Sequence, residues 1–277
     1  MVMVTLKGEQ ISIDGYLQKK LENIKKIIEK NWDCVILIDG EERSGKSTLG
    51  KTIACYLNPD FSVNNISNSV EETKKKIAEL PDKKVLLIDE GSLVFSSKDA
   101  MLKAQKELLK ILDVVGQKNM TLIIILPSVF DLIKQIAIRR SRFLLHVYTD
   151  RDMNRGRFLY FGKRKKAKLY ELGKKNFGSY KKPRADFRGR FTMFNPFGKE
   201  YDSLKKKTLL NTLQTQEFII TPTIERHVKI KLMKQFKENC PEIEHKIIMK
   251  GFGTSKTCFY RDLRIYEGAK YEIPAVI

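Results

Sequence analysis

Cysteine and histidine are scarce in this chain of 277 residues, which contains four cysteines and three histidines. The cysteines form no CxxC pair, so the sequence predicts neither a zinc site nor a disulfide framework and favours a reducing, intracellular setting. No apolar run is long enough to cross a bilayer, and the first residues lack the apolar segment of a signal peptide. We therefore expect a cytoplasmic protein with no membrane partner.

Acidic residues are also few: Lys and Arg number 53 against 33 Asp and Glu, a formal net charge of +20. The excess is concentrated between Arg151 and Arg190, where fifteen basic residues face three acids. Such clustering favours a polyanionic partner, and DNA is the one we predict. The alternative is a lysine-rich surface that is only solvated.

The stretch from Gly40 to Ser47 has the G-x-x-x-x-G-K-[ST] spacing of a phosphate-binding P-loop. An apolar strand (35–39) precedes it and a helix (47–57) follows, which is the context that the motif requires. Glycines let backbone N–H groups turn toward phosphate oxygens, the lysine adds charge, and the serine hydroxyl suits Mg²⁺. The predicted ATP-binding residues are Gly40, Arg43, Ser44, Gly45, Lys46, Ser47 and Thr48.

Two carboxylates, Asp89 and Glu90, follow the apolar run 85–88, at the carboxyl end of a predicted parallel strand where such sheets place ligands. Asp89, with Ser47, is the predicted Mg²⁺ ligand, and Glu90 is the predicted base that polarises the attacking water. A water-activating glutamate favours ATP hydrolysis over phosphate transfer between nucleotides.

Two further catalytic features are predicted. Ser128 follows the strand 121–126 and is placed either to sense the γ-phosphate or to cap the next helix. Arg139, Arg140 and Arg142 follow a helix predicted over 129–138, and one of them could act as an arginine finger toward a neighbouring subunit. The alternative for the arginines is a basic helix terminus or surface.

Together, Gly40 to Ser47, Val85 to Glu90 and the strand ending at Pro127-Ser128 resemble the additional-strand catalytic-glutamate class of P-loop ATPases. The run from Leu126 to Tyr148 is similar to phage and archaeal-virus ATPases that are distantly related to the zonular occludens toxin N-terminal domain and to ring-forming DNA translocases. The resemblance covers residues 15–165. It implies Lys46 at phosphate, Ser47 and Asp89 at Mg²⁺, Glu90 as base, and the host cell interior if the protein is viral. The chain lacks the translocases' glutamine after the third strand and the toxin family's membrane segment.

Alternating apolar strands and amphipathic helices predict an α/β P-loop NTPase fold, with a mainly parallel sheet flanked by helices. We divide the chain into an ATPase domain (1–162), a basic, aromatic-rich extension (163–220) predicted to bind the phosphate backbone and to stack on bases, and a small, all-helical, helix-turn-helix-like domain (221–277). Pro183 and Pro196 argue against long regular elements in the extension. The C-terminal helices either bind DNA or form a bundle for oligomerisation or docking. The predicted DNA contacts are Lys163, Arg164, Lys165, Lys166, Ser255, Lys256, Thr257, Tyr260, Arg261 and Arg264.

The sequence therefore predicts a Mg²⁺-dependent, oligomeric ATPase that translocates, packages or remodels DNA, single- or double-stranded. One alternative is a nucleotide or nucleoside kinase, which would turn over without DNA and use a small-molecule acceptor. The other is an ATP-switched DNA-binding protein, in which turnover is negligible and Glu90 has little effect.

Overall fold

The computed structural model describes residues 1–89, 98–198, 200, 201, 203, 232, 239, 242 and 247, with only the backbone for 98–103. The chain divides into two compact units, Met1–Leu210 and Asn211–Ile277. The first unit contains the described helices and strands. The helix-turn-helix prediction for the C-terminal domain, with its DNA contacts from Ser255 to Arg264, lies outside the described residues, as does Glu90.

Nine strands and five α-helices are described in the first unit. The strands are β1 (Val2–Leu6), β2 (Glu9–Ile13), β3 (Cys34–Gly40), β4 (Ile66–Ser67), β5 (Val85–Ile88), β6 (Thr121–Ile125), β7 (Phe143–Tyr148), β8 (Arg157–Gly162) and β9 (Phe187–Arg190). The helices are α1 (Gly15–Glu29), α2 (Lys46–Leu57), α3 (Val70–Glu79), α4 (Lys98–Gln117) and α5 (Lys163–Lys175).

Seven strands form one sheet in the order β4-β5-β6-β3-β7-β8-β9. The first five are parallel, and β8 and β9 add antiparallel strands to one edge. The prediction of an α/β fold with a mainly parallel sheet is confirmed. Because β3 is the central strand, the loop that follows it lies at the middle of the sheet's carboxyl edge.

Apolar side chains cover both faces of this sheet, as a parallel sheet requires. Ile36 and Ile38 of β3 pack toward α1 and α2, whereas Val35 and Leu37 pack toward α3, α4 and α5. Helix α1 places Leu17, Leu21, Ile24 and Ile28 on its buried face. Its N-terminus is capped by Asp14, whose carboxylate accepts hydrogen bonds from the backbone N–H groups of Tyr16 and Leu17.

Two predictions of local structure are corrected. Residues 129–138 form a short 3₁₀ turn (Val129–Asp131), followed by a π-helix (Gln135–Arg140), not one α-helix. The basic extension begins with the regular helix α5 and then contributes β9 to the sheet. The first compact unit therefore continues past residue 162. Among the described residues, no helix combines the length and apolar character needed to span a bilayer.

Candidate functional site

The loop between β3 and α2 has the backbone that its sequence predicts. Gly40 and Gly45 have φ angles of 140° and 106°, in a region open mainly to glycine. A Cβ on Gly40 would lie 2.0 Å from the carbonyl oxygen of Val147 on β7, so no side chain fits there. Ser44 is buried, and its hydroxyl donates to the carbonyl oxygen of Glu41 at 2.7 Å, which closes the loop.

Lys46 begins α2 and its side chain is buried. Its Nζ donates to the carbonyl oxygens of Gly40 at 2.8 Å and Glu41 at 3.1 Å. These contacts hold the ammonium group beneath the same loop whose N–H groups would surround phosphate oxygens. The loop and α2 together thus provide a positive charge and a helix N-terminus, both of which favour a bound phosphate.

Ser47 and Asp89, the predicted Mg²⁺ ligands, are brought together. The Ser47 hydroxyl donates to Asp89 Oδ1 at 3.0 Å, although the residues are 42 positions apart. Asp89 follows β5 and is 2% exposed. A hydroxyl and a carboxylate beside a phosphate-binding loop are hard oxygen ligands, so the residues present fit Mg²⁺ held by Ser47 and, through water, by Asp89. The predicted base Glu90 lies outside the described residues.

A segment that sequence analysis did not connect with the site lies against it, and we call its described residues (191–198, 200 and 201) the strap. Phe191 and Met193 would be 3.4 Å from a Cβ on Gly45. Lys51 of α2 donates to Asn195 Oδ1 at 2.8 Å, and its Nζ lies 3.7 Å from the centre of the Tyr201 ring.

The strap ends at Tyr201, whose hydroxyl donates to Asp89 Oδ2. Phe191, Phe194 and Tyr201 are buried, which corrects the prediction that the extension's aromatics, among them Phe191 and Phe194, form base-stacking surfaces. The aromatic run between Pro183 and Tyr201 was a sequence signal for this packing, because aromatics at that density fill cores as readily as they bind bases.

A second unpredicted cluster surrounds Asp39, the penultimate residue of β3, which is completely buried. Its carboxylate accepts from the backbone N–H of Val129 at 2.9 Å and from the Tyr180 hydroxyl, and its Oδ1 lies 2.9 Å from His146 Nδ1. The rings of His146 and Tyr180 are stacked with centres 3.6 Å apart. Burial first, and then the charge of Asp39, raise the pKa of Tyr180 well above its ordinary value. Tyr180 therefore stays protonated and joins the extension to the phosphate-loop strand.

Ser128 occupies the position between β6 and the 3₁₀ turn. Its Oγ accepts a hydrogen bond from the backbone N–H of Phe130 at 3.2 Å. The capping role that we considered for Ser128 is therefore present. Its role as a γ-phosphate sensor stays a prediction.

The three candidate finger arginines lie at the opposite edge of the sheet from the phosphate loop, because they immediately precede β7, which is parallel to β3. Arg139 and Arg142 are exposed. Arg140 forms an ion pair with Asp33 at 3.0 Å. The length of β3 separates all three from this chain's own phosphate loop, and a role toward a neighbouring subunit stays a prediction.

The predicted DNA contacts Lys163 to Lys166 form the first turn of α5. Lys163 and Arg164 are exposed, and Lys165 forms an ion pair with Asp186 at 3.1 Å. Lys166 is completely buried, and its Nζ donates to the backbone oxygen and hydroxyl of Ser141. The prediction that Lys166 contacts DNA is therefore wrong, because consecutive helical residues cannot all share one exposed face.

A family model described as novel STAND NTPase 3 matches residues 17–167, more than half of the chain. The match includes the phosphate loop, Asp89 and the start of α5, and it confirms the predicted P-loop NTPase class. No curated protein sequence matches the chain.

The chain is also similar to solved structures. A DNA polymerase III gamma subunit-related protein from Thermotoga maritima is 18% identical over 48% of this chain, with a TM-score of 0.32. The chain spans 47% of that protein, about half its length. The genome packaging NTPase B204 from Sulfolobus turreted icosahedral virus 2, in complex with AMPPCP, is 16% identical over 48% of this chain and 94% of its own, with a TM-score of 0.30. AMPPCP-bound DnaA from Aquifex aeolicus is 12% identical over 95% of this chain and 80% of its own, with a TM-score of 0.35.

Proposed function

Because the chain belongs to the novel STAND NTPase 3 family, we propose that it is a Mg²⁺-dependent ATPase whose hydrolysis is coupled to work on DNA. The observation that carries the proposal is the 3.0 Å contact between Ser47 and Asp89 beside the phosphate loop. This contact joins the hydroxyl and carboxylate that Mg²⁺-nucleotide chemistry needs, and it does so next to the positive charge of Lys46.

Each residue has a distinct task in this proposal. The loop N–H groups and Lys46 bind the β- and γ-phosphates and stabilise charge that develops on the transferred phosphoryl group. Ser47 and Asp89 orient Mg²⁺, which when bound neutralises phosphate charge. Glu90 accepts a proton from the water that attacks the γ-phosphorus.

The DNA part of the proposal is supported by charge. The net charge is +20, and Arg151 to Arg190 hold fifteen basic residues against three acids. A surface of this sign attracts nucleic acid at distances up to about 10 Å in 0.1 M salt. Hydrolysis at interfaces between subunits would give an oligomeric motor.

The test is steady-state ATP hydrolysis with Mg²⁺, with and without single- and double-stranded DNA. We expect DNA to stimulate wild-type turnover, and we expect Glu90→Gln to lower kcat by about 10²-fold or more while ATP still binds. Glu79→Gln, which makes the same chemical change at an exposed residue of α3, should behave as wild type.

Two outcomes would overturn the proposal. Phosphate transfer to a nucleotide acceptor without DNA would identify a kinase. ATP binding that tightens DNA affinity, with negligible turnover and no effect of Glu90→Gln, would identify a nucleotide switch.

A further inference from the structure

A cleft of about 850 Å³ opens at the edge of the sheet opposite the phosphate loop. Its walls come from the amino ends of β3 and β7, the carboxyl end of β8 and the first turn of α5. We call it the amino-edge cleft. Strand β3 runs from Cys34 at this cleft to Gly40 at the phosphate loop, so the two sites are about 20 Å apart along one rigid strand.

The lining of the amino-edge cleft is strongly basic. Its two acids, Asp33 and Asp186, are neutralised by ion pairs with Arg140 at 3.0 Å and Lys165 at 3.1 Å. Five lining cations have no ion-pair partner in the described part of the chain: Lys20, Arg139, Arg142, Lys163 and Arg164. These five come from α1, the segment before β7, and α5, so the fold itself concentrates positive charge that the sequence distributes over 145 positions of the chain.

Aromatic rings accompany these charges. Trp32 and Tyr16 line the cleft and are 64% and 66% exposed. Phe187 lies beside Tyr16, with ring centres 5.6 Å apart, and stacks on Tyr160 at 4.5 Å. Large aromatic faces left in solvent beside unpaired cations provide what an unpaired base needs for stacking.

We infer that the amino-edge cleft binds single-stranded nucleic acid, with phosphates on Arg139, Arg142, Lys163 and Arg164 and a base stacked on Trp32. The inference rests on the proposed function, because it takes nucleic acid as the partner. It adds where the nucleic acid binds and that the bound form is single-stranded. A duplex stacks its bases on one another, so it would use the cations and leave the aromatic rings unused. A membrane surface would use the charges in the same way, without a base.

Trp32 provides the readout, because it is the single tryptophan of the chain. Titrating the 277-residue protein with a thymidine oligonucleotide, without nucleotide, should quench the Trp32 emission as a base stacks on the indole ring. The same titration with a blunt duplex, or with vesicles of anionic phospholipid, should leave the emission essentially unchanged. Oligonucleotide binding that leaves the emission unchanged would overturn the inference.

Two variants test the lining separately, with a fluorescently labelled oligonucleotide and anisotropy as the measurement. Trp32→Leu, at an exposed position, should weaken binding at least about fivefold through lost stacking. The double variant Arg142→Gln and Arg164→Gln should weaken binding. It should also make the slope of the log binding constant against log salt concentration less steep by about 1.4, because each phosphate contact with a single strand contributes about 0.7. The matched control is Lys168→Gln with Lys175→Gln, which removes two exposed charges of α5 outside the cleft.

The outcomes separate this inference from the proposed function. If DNA stimulates hydrolysis but does not quench Trp32, the ATPase proposal stands and DNA binds another surface. The same conclusion follows if the control pair loses as much affinity as the cleft variants. The protein could instead fail to hydrolyse ATP while DNA quenches Trp32 and only the cleft variants lose affinity. That result would support nucleic-acid binding by the cleft and overturn the proposed ATPase. The quenching of Trp32 in the wild type does not depend on whether any variant folds. Circular dichroism melts check that the variants fold.

Discussion

The hydroxyl of Tyr201 donates a hydrogen bond to the carboxylate of Asp89, across 112 residues of sequence. The same carboxylate accepts from Ser47 at 3.0 Å. The residue that we propose to orient Mg²⁺ is therefore bonded both to the phosphate-loop helix and to the strap. Movement of the strap would change the donors around the proposed metal site.

We expect Tyr201→Phe to affect metal binding and stability in opposite directions. Removing the hydroxyl takes away one donor that competes with a Mg²⁺-bound water for Asp89, so Mg²⁺-dependent binding of a fluorescent ATP analogue should require about fivefold less Mg²⁺. Losing a hydrogen bond to a charged group should lower the free energy of unfolding by about 1.5–3 kcal/mol. Tyr16→Phe, whose hydroxyl makes no hydrogen bond in the described part of the chain, is the control. An unchanged Mg²⁺ requirement would mean that Tyr201 does not compete for Asp89.

Gly40→Ala should damage both folding and nucleotide binding. A methyl group there would meet the Val147 carbonyl oxygen at 2.0 Å at a φ of 140°, and strain and clash together should cost more than about 2 kcal/mol. Gly8→Ala is the matched control, because Gly8 has a φ of 83° and open space around it. That control should lose only about 1–2 kcal/mol. Urea unfolding and ATP-analogue titration measure both quantities, and equal losses in the two variants would show that the close approach to Val147 is unimportant.

The buried Lys166 should make stability depend on pH. Burial, assisted by Lys163, lowers the pKa of Lys166 from 10.5 to about 7. Between these values the unfolded chain holds a proton that the folded chain has released, so the free energy of unfolding should rise with pH across this window, by at most about 1.4 kcal/mol per unit. Below the folded pKa both states are protonated and this dependence disappears.

Lys166→Met isolates this effect, because it keeps an unbranched side chain that is one heavy atom shorter and removes the titrating group. Urea unfolding of both proteins at several pH values through the window gives the two slopes. The free energy of unfolding of the wild type should rise with pH more steeply than that of the variant, by at most about 1.4 kcal/mol per pH unit. Parallel slopes would mean that Lys166 keeps its charge in the folded protein.

Tyr180 and Asp39 should be energetically coupled. Tyr180→Phe removes one donor from a fully buried carboxylate, and we expect a loss of about 1–3 kcal/mol in the free energy of unfolding. In a double-mutant cycle with Asp39→Asn, the coupling energy should exceed about 0.5 kcal/mol. Additive losses would show that the contact does not stabilise the extension against β3.

Local patterns predicted much of this protein. The phosphate loop depends on eight consecutive residues and on the strand and helix beside them, so its backbone follows from short-range sterics and hydrogen bonding. The meeting of Ser47 with Asp89 was also predictable, because parallel strands bring their carboxyl ends to one edge of the sheet. Helix α1 and the parallel core strands followed from the spacing of their apolar residues.

Long-range packing decided the rest. Three hydrogen bonds join residues between 25 and 141 positions apart: Tyr201 to Asp89, Tyr180 to Asp39 and Lys166 to Ser141. No local periodicity of the sequence encodes such pairs. The basic residues illustrate the difference most clearly. Their number and their attraction to polyanions were determined by composition alone, because charge adds without regard to position. Which of them share the amino-edge cleft, which are paired with acids and which are buried depends on how strands and helices pack, and only the tertiary structure decided it.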